Sequence, residues 1–455
     1  MAETWANSLD LHLDVAGTRV RSGLESALRE AIRTGRLASG TRLPPSRALA
    51  ADLGVARNTV ADAYGQLVAE GWLAARAGAG TWVTRDLLPA RHPPAAPVPE
   101  PAPPRYDLRP GVPDLSAFPR REWLAAARTA LHAAPDHVLG YPDPRGLPQL
   151  RIELAGYLAR ARGVSAAPGR IVVCCGFAHG LAVLCRMLRA RGGTTIAIEG
   201  YGHQSHRRLV EAHGLHAAAL SVDDGGAVPT DLGDAAAVLL TPAHQFPLGV
   251  TLRPHRRRAL VGWAGDSGGL VIEDDYDGEF RYDRQPVGAM QSLAPEHVVY
   301  AGTASKSLAP GLRLGWLVLP EHLVDEVVAV VDASPGSLDQ LTLAAFLASG
   351  GYDRQVRHAR LVYRRRRDRL VAALHRRAPV TGIAAGLHAL VELPGGVTED
   401  EVVARAAGHG LAIDGLASFT APGMGYPPAL VVGYGRPPDH AFTTALARLS
   451  TVLGR

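Results

Sequence analysis

The apolar positions of the first 84 residues recur at helical spacing in three places. Leu24, Ala27, Leu28, Ala31 and Ile32 share one face of a helix expected over Leu24 to Leu37, with Gly35 and Gly40 ending it. Ala48, Leu49, Ala50 and Leu53 mark a short second helix, with Ser46 as its N-cap behind Pro44 and Pro45. Gly54 supplies a turn. Val60, Ala63, Tyr64, Leu67 and Val68 mark a third helix starting near Arg57. Two short helices around a glycine turn predict a helix-turn-helix. After Gly71, the stretch Trp72 to Thr84 reads as two short strands around a Gly-rich turn, a wing.

The pattern breaks over Leu87 to Arg105. Proline at that density lacks the donors for helix or sheet and favours an extended, semi-rigid spacer. We therefore expect a head at 1–85, a linker at 86–105 and a body at 106–455. In the body, short apolar runs alternate with helical periods. The runs are Ile171 to Cys174, Thr195 to Glu199, Ala236 to Leu240, Leu270 to Glu273 and Val298 to Tyr300. That alternation predicts an α/β body, a parallel or mixed sheet covered by helices on both faces. From about 320 onward helices come first, then short strands near 386–393 and 429–434, which predicts a smaller α+β lobe.

Composition changes this picture in two ways. A net charge of +5 permits an anionic partner. No apolar run is long enough for a membrane span, the start lacks a signal-peptide pattern, and the three cysteines show no metal spacing. A cytoplasmic location without membrane contact is expected. The second change is larger. Lys306 is the single lysine, against 47 arginines. A guanidinium keeps its proton, whereas an amine can lose it and condense with a carbonyl. Small hydroxylated residues surround Lys306, and Arg313 lies seven positions on, a setting suited to an anionic cofactor.

A second cluster is Glu273-Asp274-Asp275-Tyr276-Asp277. Carboxylates crowded at a strand end are costly unless they meet a cation or a protonated ring. At strand spacing Asp274 and Tyr276 share one face, and Glu273 and Asp275 the other. An Asp facing a pyridine nitrogen keeps it protonated, and a neighbouring Tyr can bond the ring's phenolic oxygen. An acidic metal site and a plain strand-end turn are the alternatives. Gly176 to Gly180 turns into a helix whose N-terminus can hold an anion. His179 there reads as structural. Arg364 to Arg367 read as the solvated face of a helix, with auxiliary DNA contact as the alternative.

The head stretches Arg42 to Ala50, Leu53 to Val60 and Gly78 to Thr81 resemble the winged helix-turn-helix of GntR-type regulators. The resemblance places Arg42, Ser46, Arg47, Arg57, Asn58, Thr59 and Gly80 at DNA. Arg57, Asn58 and Thr59 sit at the front of the second helix of the pair, and Arg42 and Arg47 suit phosphates, or a guanine edge for Arg47. The body resembles the fold-type-I pyridoxal 5′-phosphate enzymes, with a large mixed-sheet lobe and a small α+β lobe. Arg109 to Asp114, Gly140 to Gly146, Thr241 to Gly249 and Glu273 to Phe280 resemble the MocR-type regulators, which fuse the two parts. The resemblance implies that Lys306 forms the Schiff base with pyridoxal phosphate, Asp274 pairs with the pyridine nitrogen, and Tyr276 bonds the phenolic oxygen. Gly176, Phe177, Ala178, Thr303, Ser305 and Arg313 would hold the phosphate, and Tyr201 would stack on the ring. Tyr141 would reach the phosphate of a second subunit, which implies a homodimer, with a head-to-tail arrangement among its options.

Two departures bear on activity. Phe246 stands where working aminotransferases usually carry an Asn that bonds the cofactor. Val431 stands at or beside the position where relatives that take amino acids carry a carboxylate-clamping Arg, with Arg436 close by. The expected function is a regulator binding operator DNA and sensing pyridoxal phosphate, in control of vitamin B6 or amino-acid metabolism. The other reading is an aminotransferase with a DNA-binding appendage. No catalytic or metal-ligating residue is assigned.

Overall fold

The computed structural model describes residues 20–84, 104–230, 232–282 and 287–454. The chain divides into two compact units, Met1–Ala102 and Pro103–Arg455. The linker expected at 86–105 falls, except for its last two residues, outside the described residues.

The head has helices α1 (Val20–Arg33), α2 (Ser46–Leu53) and α3 (Arg57–Ala69), then strands β1 (Leu73–Arg76) and β2 (Gly80–Val83). Leu24, Leu28, Val60, Ala63 and Leu67 interlock between α1 and α3 with almost no exposure, and Leu73 and Val83 close the core from the wing. The Tyr64 hydroxyl donates to the Pro44 carbonyl at 3.1 Å and pins the segment ahead of α2. β1 and β2 pair antiparallel, Leu73 opposite Val83. One expectation is corrected here. Ser46 is the first helical residue, Pro45 holds the cap position, and no side chain caps α2. The Pro45 carbonyl accepts from Ala48 and Leu49. Proline suits that place because its φ of −53° is set in advance and its missing N–H would have had no helical partner.

The body opens with β3 (Tyr106–Asp107), α4 (Arg120–Ala133) and α5 (Pro148–Arg162). The α/β run follows: β4 (Ile171–Cys174), α6 (Phe177–Ala190), β5 (Thr195–Glu199), α7 (Gln204–Ala212) and β6 (His216–Leu220). After a small hairpin, β7 (Val222–Asp223) and β8 (Gly226–Ala227), come β9 (Ala237–Leu240), α8 (Pro254–Ser267), β10 (Leu270–Asp274), β11 (Val298–Thr303) and β12 (Gly315–Val318). Seven strands form one sheet in the order β4-β12-β11-β10-β9-β5-β6. Only β12 runs against its neighbours. The strands read Ile-Val-Val-Cys, Ala-Val-Leu-Leu and Leu-Val-Ile-Glu-Asp and are buried throughout, as a sheet covered on both faces requires.

The chain continues with α9 (Val324–Ala329), α10 (Ser337–Ala348), α11 (Gly351–Leu374), β13 (Val380–Thr381), β14 (His388–Glu392), α12 (Glu399–Gly408), β15 (Leu411–Ala412), β16 (Asp414–Gly415), β17 (Ala429–Gly433) and α13 (Asp439–Leu453). The second sheet runs β13-β14-β17-β16. The smaller lobe is not one continuous segment from 320. β3, at the front of the body, pairs with β15, while α10 packs on α4 and α5.

A further correction concerns Arg366, which is buried and not part of a solvated face. Its guanidinium donates to the carbonyls of Gly435 and Pro437 and to Asp114 Oδ2 at 3.2, 2.8 and 3.0 Å. The helical period explains it. Arg366 lies three and seven residues after Tyr363 and Ala359, both on the buried stripe of α11.

Candidate cofactor site and DNA-contact surface

Strands β4, β5, β9, β10 and β11 run in one direction, and their carboxyl ends meet at a cavity of about 240 Å³. Open α/β sheets bind ligands at that edge, where strand ends leave the sheet and loops diverge. Asp274 ends β10, Thr303 ends β11, and Lys306 follows three residues later. All three line the cavity, with Phe177, Ala178, Tyr201, Tyr276, Ser305 and Arg313.

The acidic cluster sorts itself by partners. Glu273 accepts from the Met290 and Gln291 amides at 2.7 and 2.9 Å. Asp275 takes a two-point ion pair from Arg162 at 2.6 and 3.0 Å, and the Tyr300 hydroxyl at 2.8 Å. Asp277 meets His244 Nδ1 at 2.8 Å. Asp274 Oδ1 is buried and has no hydrogen-bond partner. Burial holds its carboxyl well above the usual range, against the pull of Lys306. The Lys306 amine donates to the Gly111 carbonyl at 2.5 Å. Burial lowers its pKa, opposed by Asp274 and Asp277, which favours the neutral amine that carbonyl chemistry needs. The Tyr276 hydroxyl donates to the His244 carbonyl at 3.1 Å.

Arg313 and the N-terminus of α6 form a candidate anion cradle at the cavity. Gly176 caps α6 with a φ of +80°, and a Cβ there would stand 3.4 Å from the Arg313 guanidinium. Arg313 itself is left-handed, with φ +54°, the one non-glycine residue with positive φ among the described residues. Such a backbone costs about 1–2 kcal/mol and persists where its surroundings impose it. The turn at Pro310–Leu312 aims Arg313 back at the α6 N-terminus, where it donates to the Cys175 carbonyl at 2.6 Å. Thr303 Oγ1 and Ser305 Oγ are 2.8 Å apart beside it. His179 accepts from the Cys175 amide and contacts Asp332, a structural duty.

Three further placements bear on the expected site. Tyr201 lines the cavity, but its hydroxyl donates to the Gly425 carbonyl and its ring meets Tyr426 edge-on. The flat aromatic pair at the wall is His203 on Phe246, centroids 4.3 Å apart and 16° from parallel. Tyr141 is fully exposed and does not line the cavity of its own chain. Arg436 is committed to Asp107 at 2.9 Å, while Val431 is buried with Phe246 and Leu390. The expected clamp position therefore carries no cation of its own, and Val431 does not line the cavity.

Sequence reasoning missed His203, His206 and His388, all on the cavity wall. Burial, with Lys306 nearby, depresses His203 to about 4 and His206 to about 3, so both stay neutral. His388 sits against His244 and Phe246, with Nε2 unpartnered. Gly386 is the residue that lets His244 and Asp277 meet, since a Cβ there would strike both. His203 and His206 lie just beyond the end of β5, where their place in the sequence marks them as neighbours of the strand ends. His388, on a late strand, gave no signal.

In the head, Arg42, Arg47, Arg57 and Asn58 are exposed, while Ser46 and Thr59 are half-covered. Arg57, Asn58 and Thr59 form the first turn of α3. Arg42 bridges to Trp82 and lies across exposed Gly80, whose Cβ would come within 3.1 Å of its Nε. Loop, wing and reading helix thus present cations and amide donors on one small unit.

Comparison with known proteins agrees with both halves. Residues 21–83 match the bacterial regulatory proteins of the gntR family, and residues 110–425 match aminotransferase class I and II. The chain belongs to the GntR-family regulators of MocR type, which join these two parts. It is 34% identical to the HTH-type pyridoxine biosynthesis transcriptional regulator PdxR of Corynebacterium glutamicum, covering 95% of this chain and 96% of that one. It is 33% identical to the probable rhizopine catabolism regulatory protein MocR of Rhizobium meliloti, covering 84% and 83%. Among solved structures, an archaeal alanine:glyoxylate aminotransferase overlays with a TM-score of 0.70 at 24% identity, covering 77% of this chain and 90% of that one.

The cofactor of this fold is pyridoxal phosphate, and the cavity fits it. A buried unpartnered carboxylate awaits a protonated ring nitrogen, an amine with lowered pKa stands opposite, and Arg313 with the α6 N-terminus awaits an anion. Among the described residues, no helix is long and apolar enough to cross a membrane.

Proposed function

We propose that this protein is a transcription regulator whose body reads pyridoxal phosphate itself, and that it controls synthesis of that vitamer. The observation that carries the reading is the contrast between the cavity and the expected clamp position. Asp274 Oδ1 lies buried and unanswered in the cavity, while Val431, at the expected clamp position, is apolar and fully buried, and Arg436 is held by Asp107. Bound there, pyridoxal phosphate supplies an electron-withdrawing ring and a carbonyl. Asp274 would hold the ring nitrogen's proton, Tyr276 would bond the phenolic oxygen, Lys306 would anchor the carbonyl carbon, and Arg313, Gly176, Phe177, Ala178, Thr303 and Ser305 would hold the phosphate. His203, rather than Tyr201, is our candidate for the ring face. An amino-acid carboxylate brought against Val431 would lose hydration without a partner, a cost of several kcal/mol. The protein is a regulator first, and transaminase turnover is not its task.

In the head, Arg57, Asn58 and Thr59 would read bases, with Arg42, Ser46, Arg47 and Gly80 at the backbone. Exposed Leu124, Leu131, Leu139 and fully exposed Tyr141 support a homodimer in which Tyr141 completes the partner's phosphate site. The test is titration of the cofactor-loaded protein with α- and ω-amino acids, following visible absorption and affinity for a genomic fragment it retains. Addition of pyridoxal phosphate alone should change affinity, and no amino acid should. An amino acid that binds tightly, converts the spectrum and shifts DNA affinity overturns the reading. Steady release of 2-oxo acid would favour the aminotransferase instead.

A further inference from the structure

The charge of this chain is unevenly placed. α11 carries eight arginines and two aspartates, a formal +6, which exceeds the +5 of all 455 residues. The first 84 residues, which hold the helix-turn-helix, carry nine arginines and eight acids, a formal +1. The unit that resembles a DNA reader therefore holds almost none of the net charge that draws a protein to a polyanion.

The arginines of α11 divide by helical position. Arg366 is consumed inside the fold, Arg360 donates to the Glu279 carbonyl, and Arg369 donates to Thr443. Arg357, Arg364 and Arg365 are exposed and have no hydrogen-bond or ion-pair partner among the described residues. They lie on one stripe with Arg354, flanking Leu361, which is 60% exposed. The opposite stripe, Tyr352, Val356, Ala359, Tyr363 and Leu370, is buried. Arg354 to Arg365 spans about 16 Å of helix axis at 1.5 Å per residue. A duplex of that length carries on the order of ten phosphates.

We propose that this face of α11 is a second nucleic-acid contact, binding the backbone of duplex DNA through Arg357, Arg364 and Arg365. The inference rests on the reading of the protein as a DNA-binding regulator. Unpaired guanidiniums on a rigid rod suit phosphate oxygens, which they can bond two at a time. The stripe has no aromatic ring for stacking on unpaired bases, which argues for duplex over single strands. One exposed leucine is too little apolar surface to anchor in a lipid interface. Contacts of this kind carry no sequence information; they add affinity and hold flanking DNA.

The test uses the full-length protein and random-sequence duplex DNA of several helical turns, with affinity measured across a salt series. Replacing Arg357, Arg364 and Arg365 together by Gln should lower the log–log salt slope by about 2 to 3, since each lost phosphate contact removes about 0.9. The triple Lys replacement should keep the slope, because it keeps the charge. Retained visible absorption on adding pyridoxal phosphate shows that each variant is folded. A triple-Gln variant with the parent's slope overturns the proposal, and so does one that changes oligomeric state, which would make this face a subunit contact. A parent protein that binds no duplex at all would instead remove the DNA-binding reading beneath it.

Discussion

The cavity in the body and the α3 face of the head both await an anion, and they are built in opposite ways. In the cavity, charge is buried and few in number. Asp274 and Lys306 oppose each other with pKa values pushed toward neutrality by burial, and each remaining carboxylate already has a partner. In the head, Arg42, Arg47 and Arg57 stand in solvent, and no buried carboxylate fixes them. A small rigid ligand rewards fixed geometry, because orienting groups beforehand removes the cost of ordering them on binding. A long flexible polyanion rewards exposed charge, whose worth comes largely from released counterions. Substitutions should therefore act nearly all-or-none in the cavity and gradually in the head.

The largest effect is expected at Lys306. Lys306→Arg keeps the charge but cannot condense with a carbonyl, so the visible absorption of the bound cofactor should vanish after dialysis while the far-ultraviolet spectrum stays. A variant that keeps the band would place the anchoring amine elsewhere, and the chain has no other lysine.

The neighbouring carboxylates sharpen the contrast. Asp274→Asn should abolish cofactor retention yet leave the cofactor-free protein within about 1 kcal/mol of the parent, since no hydrogen bond is lost. Asp275→Asn breaks the buried pair with Arg162 and should cost about 3–5 kcal/mol in urea unfolding, with retention little changed. The reverse ranking would mean that the two side chains have been given each other's roles.

The head should respond more mildly. Arg57→Ala should cost about 1–3 kcal/mol of discrimination between operator and random DNA. Arg42→Ala should weaken both alike and lower the salt slope by about 1. Equal loss of discrimination from both would show that Arg42 reads bases too.

The smallest effect is a pH trend. Burial raises Glu199, Glu273 and Glu279 to about 7. Raised folded-state pKa values stabilise the protein at low pH, and that contribution is lost as pH climbs through about 7. His203 and His206, held neutral, act in the opposite sense below about pH 6.5, so the readout is the cofactor-free parent against Glu199→Gln, which keeps an acceptor for Thr241: the parent's urea midpoint should lose ground to the variant's from about pH 5 to about pH 8. A parent-to-variant difference that stays constant over that window would contradict the burial of Glu199.

Much of this was legible in sequence, for reasons that differ between the two regions. Helical spacing gave α1 through α3, and the chain order of glycine turn, acidic strand and lysine loop gave the cavity. The strand period put Asp274 and Tyr276 on the cavity side and Glu273 and Asp275 away from it. Ser46 failed as a cap because proline and serine both suit a helix start, and only the carbonyl of Pro45 decides the register. Arg366 failed because a run of four arginines hides a helical period that turns one of them inward. The wall histidines and the tie of the Tyr201 hydroxyl to Gly425 depend on packing between segments remote in sequence, which local pattern does not record.

The central claim is that pyridoxal phosphate bound at Lys306 sets the protein's hold on DNA. Its most direct test is the affinity for a retained genomic fragment, measured with and without pyridoxal phosphate, in the parent and in Lys306→Arg. A several-fold change is expected in the parent and none in the variant. Equal affinity of the parent in both conditions would contradict it.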